Sequence, residues 1–75
     1  MTVGILTLSL FLPGCTSLKQ KRGLVKPFLA RLHREFNISA AEIDFQDRWR
    51  EAVVGIAVLS NESAQVQRVL QAVLA

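Results

Sequence analysis

Four side chains in the first half of the chain have the type and spacing to hold an anion. Lys19, Arg22, Lys26 and His33 follow one another at intervals of three, four and seven, so on a helix they project within about 60° of one another. Cations in such a ridge neutralise phosphates, and with neighbouring Lys21 they make up the candidate nucleic-acid contacts: Lys19, Lys21, Arg22, Lys26 and His33. A second group, Glu42, Asp44, Asp47 and Glu51, carries the oxygens that suit magnesium or calcium. Its spacing matches no cation-binding loop, and it reads as a solvated strand face followed by an acidic turn. Cys15 is the sole cysteine, so it forms no internal disulfide, and no Cys/His cluster has metal-ligand spacing. His33 lies more than four turns along the helix from it, too far for a thiol and imidazole to act together. No catalytic residue, metal or cofactor is therefore expected. Trp49 is expected over the rim of the fold with its indole N–H partnered.

These groups lie in an uneven charge pattern. The chain of 75 residues has a net charge of +3. Lys19, Lys21, Arg22, Lys26, Arg31 and Arg34 stand against Glu35 alone in the first half, and the middle of the chain is mildly acidic. A hydrophobic content of 51% excludes the composition of a disordered segment. The length suits one domain spanning residues 1–75. No stretch approaches the roughly 20 apolar residues of a membrane helix. Leu12-Pro13-Gly14-Cys15 imitates the end of a lipoprotein signal. The start lacks positive charge, however, and Thr7 and Ser9 interrupt the apolar run, so a cytoplasmic protein without a membrane partner is expected.

Periodicity supplies the elements that position the candidates. Leu6, Leu8, Leu10 and Leu12 occupy alternate places with Thr7 and Ser9 between them, the pattern of a half-buried strand that Pro13-Gly14 ends. Ser17 and Gln20 have capping-box spacing. The helix they open gathers Leu18, Val25, Phe28, Leu29, Leu32 and Phe36 on one stripe, with Pro27 expected to bend it near residues 23–27. Ala41, Ile43 and Phe45 alternate with Ala40, Glu42 and Asp44, giving a second strand with one apolar and one acidic face. Ala52 to Leu59 is an uncharged run suited to an interior strand with at least part of both faces covered. A last helix, capped by Ser60 or Asn61, buries Val66, Val69, Leu70, Val73 and Leu74. The fold class is thus α+β: a ferredoxin-like split βαβ sandwich in the order βαββα, lacking the final strand. Its first strand is left as an open edge on which Val3, Ile5 and Phe11 are candidates for self-association, with a homodimer as the expected result.

The stretch from Leu12-Pro13-Gly14-Cys15 to Lys21-Arg22 resembles the signature of the YlxP-like family of uncharacterised bacterial proteins, as do Glu35-Phe36-Asn37-Ile38 through Asp44 and Gln46-Asp47 through Trp49 to Val58. The resemblance covers essentially the whole chain. It implies a ferredoxin-like fold with a further strand, and genes placed beside those of translation initiation and ribosome maturation factors. Cys15, where the family commonly has a polar residue, and the apolar Phe11 and Phe45 depart from the pattern. The expected function is non-enzymatic binding of structured RNA or a ribosomal subunit through the basic first helix. The alternative is a protein-interaction module that self-associates through the first strand and the open sheet face.

Overall fold

The computed structural model describes residues 1–74 of the chain. Its elements are β1 (Thr2–Phe11), α1 (Leu18–Glu35), β2 (Ser39–Asp44), β3 (Glu51–Ser60) and α2 (Ser63–Leu74). The strands form one antiparallel sheet in the order β1-β3-β2, so β3 is inserted between the two strands that α1 connects. This is the ferredoxin-like α+β arrangement that the sequence pattern predicts.

Residue alternation decides which side of the sheet the helices cover. Leu6, Leu8 and Leu10 of β1 pack against a core of Leu32, Val54, Ile56, Val58 and Val66, while Val3, Ile5 and Phe11 point away from it and are exposed. Gly4 belongs to the inner row, and α2 approaches it so closely that an added Cβ would collide with Val66 and Leu70. On β3 Ala52, Val54, Ile56 and Val58 are buried, but Ala57 and Leu59 on the other face are open. Glu51, Val53 and Gly55 on that other face are half-buried, so this strand has one face covered and part of the second, as its apolar run predicts.

Local chemistry closes α1 at its start. Ser17 Oγ accepts the Gln20 N–H at 3.1 Å, and Gln20 Oε1 accepts the Thr16 N–H at 2.8 Å. This is a capping box shifted by one residue on its return bond. The helix then runs as one element through Pro27.

β2 departs from the expected pattern. Its odd side chains, Ala41 and Ile43, face the open side, and the inward row carries Ala40 and Glu42. Pairing passes from Glu42–Val54 to Asp44–Val53, which leaves Ile43 as the extra residue of a bulge. Ile43 fills the space left by Gly55, where a Cβ would stand 3.1 Å from its Cδ1. The strand ends at Asp44, and Phe45, which the pattern assigns to the strand, begins the turn at φ 59°.

Candidate nucleic-acid interface

The five basic candidates on α1 do not share one environment. Lys19, Arg22 and Lys26 are exposed, and among the described residues none of them has an acidic partner. They keep the common side expected of their spacing, so the ridge exists as a surface of free cations. Of the other surface cations of α1, Arg31 bonds Glu35 at 3.0 Å within the same helix, whereas Arg34 is exposed and likewise has no acidic partner among the described residues.

Lys21 is a correction to that set. It sits on the core stripe of α1, its side chain is 2% exposed, and its Nζ lies 2.8 Å from Glu42 Oε2. The ammonium donates to the carbonyl of Phe45. Its approach to Glu42 is ionic, without hydrogen-bond alignment, and leaves that oxygen no aligned donor. Lys21 therefore does not reach a phosphate outside the molecule. Glu42 is corrected with it, because its carboxylate turns beneath α1 and is only 21% exposed, instead of lying on a solvated acidic face. A buried ammonium needs a counter-charge and an acceptor, and these two groups supply them.

His33 is exposed but tied, since its Nε2 accepts the Ala40 N–H at 3.3 Å. That bond joins α1 to the outer edge of β2 and gives the ring a structural contact. The acidic candidates also separate. Asp44 Oδ1 accepts the Phe45 N–H at 2.8 Å, and Glu51 pairs with Arg48 at 3.3 Å. No group of three or more metal-ligating side chains forms among the described residues. Cys15 is buried, with its carbonyl accepting Arg50 Nε at 3.2 Å.

The self-association candidates lie together on the uncovered face. Val3 is 55% exposed, Ile5 75% and Phe11 71%. Ile43 and Leu59 extend the same apolar surface across the sheet. Beside Phe11, an open groove of about 790 Å³ runs between the end of β1 and the start of α1, with Leu24 on one wall and Lys19 its sole charged lining residue.

The turn between β2 and β3 lies beyond what sequence pattern reveals. It is fastened from within by Lys21 and Arg50, and it holds Trp49 half exposed, at 50%. Trp49 thus stands further into solvent than a side chain packed over the rim. The one signal in the sequence is the lysine on an otherwise apolar stripe.

Residues 3–75 match the family described as Protein of unknown function (DUF503). The chain is 44% identical over 59 residues to Uncharacterized protein YlxP of Bacillus subtilis (strain 168). The matched stretch covers 79% of the chain and 64% of that relative's length. No helix among the described residues is long and apolar enough to cross a membrane.

Proposed function

The chain belongs to the DUF503 family of proteins of unknown function, and for it we propose non-enzymatic binding of structured RNA, including that of a ribosomal subunit, through the basic flank of α1. One observation carries this reading: Lys19, Arg22 and Lys26 are exposed on one flank with no acidic partner among the described residues. Unpaired cations hold condensed phosphate charge at no cost in broken ion pairs, and the counterions released supply the affinity. Recognition is led by charge and shape. The open face of the central strand β3 is Val53, Gly55, Ala57 and Leu59, so that strand offers no stacking aromatic of the kind an RRM displays there. Co-sedimentation with ribosomal subunits across a salt series tests the reading. Binding that falls steeply with salt supports it, and no binding at low salt removes it.

A second reading rests on a different observation. All ten residues of β1 are uncharged, the strand has one neighbour, and its outer row exposes Val3, Ile5 and Phe11 around Thr7 and Ser9. Unguarded edges of this kind pair with another strand. Self-association through β1 and the open face is compatible with RNA binding, because the cations lie on α1 and the open face carries none of them.

A further inference from the structure

We infer that the β2–β3 turn is a preorganised stacking element that takes an unpaired nucleobase against Trp49, while the α1 ridge holds the backbone of the same strand. The inference rests on the RNA reading and names its substrate class: single-stranded or looped RNA, whose base faces are free.

Three observations converge on the turn. First, Phe45 adopts φ 59°, a left-handed conformation that is uncommon for a bulky aromatic residue and persists where the surroundings over-determine it. Its N–H goes to Asp44 Oδ1 at 2.8 Å, and its carbonyl accepts both the Arg48 N–H at 3.0 Å and the Lys21 ammonium. Second, the fold uses a buried lysine and a partly buried glutamate where apolar side chains would serve the core as well, and the bond that lysine makes fixes this turn. Third, the turn presents the chemistry that stacks on bases. Trp49 is half exposed, Arg48 lies over the Phe45 ring at 4.1 Å, and Arg50 is adjacent. Aromatic faces and guanidinium planes hold splayed bases with little regard for sequence.

The turn and the ridge are joined at one end of the molecule. Lys21 reaches Phe45 from the helix turn that also carries Lys19 and Arg22, and Arg50 Nε donates to Cys15 at the entry to α1. The inferred path of the strand runs from Lys19 and Arg22 across this junction to Trp49.

The test uses Trp49 as its own reporter, because the chain has one tryptophan and no tyrosine. An oligouridine strand and an RNA duplex of equal length are titrated at low salt, following Trp49 emission and, separately, the anisotropy of labelled RNA. Both RNAs are expected to bind, with the single strand quenching Trp49 and the duplex leaving it nearly unchanged. Trp49→Phe is expected to keep the single-strand affinity close to wild type. Trp49→Leu, folded by circular dichroism, should weaken it about 5- to 150-fold with duplex binding unaltered. Unmoved emission on a bound single strand, or wild-type affinity in the leucine variant, overturns the inference and leaves the ridge reading in place. Loss of all RNA binding in the wild type overturns both. Emission that responds to RNA-free ribosomal protein and to no RNA assigns the turn to a protein contact and likewise overturns it.

Discussion

The ammonium of Lys21 stands 2.8 Å from Oε2 of Glu42 beneath α1, so a charge pair occupies a place in the sandwich where the hydrophobic pattern would put two apolar side chains. Removing one member of such a pair strands the other in a poorly solvated site. Lys21→Met is expected to destabilise the protein toward the lower end of about 3–5 kcal/mol, since Glu42 retains some solvent contact. Lys21→Met with Glu42→Leu should recover most of that loss. Urea denaturation of the two single variants and the double variant measures the coupling, and additive losses would show that the pair does not interact.

Leu8 faces Val54 across the central ladder and packs on the buried cluster. Leu8→Ala should cost within about 2–5 kcal/mol, toward the lower end because the side chain is only partly buried. For a domain of this size each kcal/mol lowers Tm by about 4–8 °C. A thermal melt within error of wild type would place Leu8 outside the packing.

Gly4 gives α2 its close approach to the sheet. Gly4→Val is expected to destabilise by about 1–3 kcal/mol through collision with Val66 and Leu70. Gly14→Ala, whose new Cβ would meet nothing within 4 Å, is the matched control. Equal effects of the two in thermal melts would contradict the packing of α2 on β1.

The open edge makes its own forecast. Light scattering at high micromolar concentration should give a mass above that of the monomer, and Ile5→Lys, which puts a charge on the exposed row of β1, should return it to the monomer. A monomeric wild type would refute pairing through this edge.

Much of the fold is legible in the sequence because local and global signals agree. Leu6, Leu8 and Leu10 alternate in the sequence and face the core in the structure. Ser17 and Gln20 announce the start of α1 and make the capping bonds there. In β2 the apolar period misleads because it assigns a face by hydrophobicity, and here Ile43 lies outward over Gly55 while Glu42 lies inward on Lys21. A buried ion pair satisfies the core without contributing to that period. For the same reason charge alone groups Lys21 with its neighbours, although its place on the wheel falls within the apolar stripe. The left-handed Phe45 carries no signal, because nothing in the chain before folding requires an aromatic residue to take a positive φ.

RNA binding by the α1 ridge is tested most directly by changing Lys19, Arg22 and Lys26 together to glutamine and measuring affinity for structured RNA across a salt series. These side chains are exposed and lysine, arginine and glutamine have similar helix propensity, so the fold should survive. Binding should weaken, and the log–log salt slope should fall by about 0.7–0.9 for each phosphate no longer neutralised. Arg31→Gln with Arg34→Gln, from another side of the same helix, should change the slope less. An unchanged affinity and slope in the triple variant would contradict a ridge that holds phosphate.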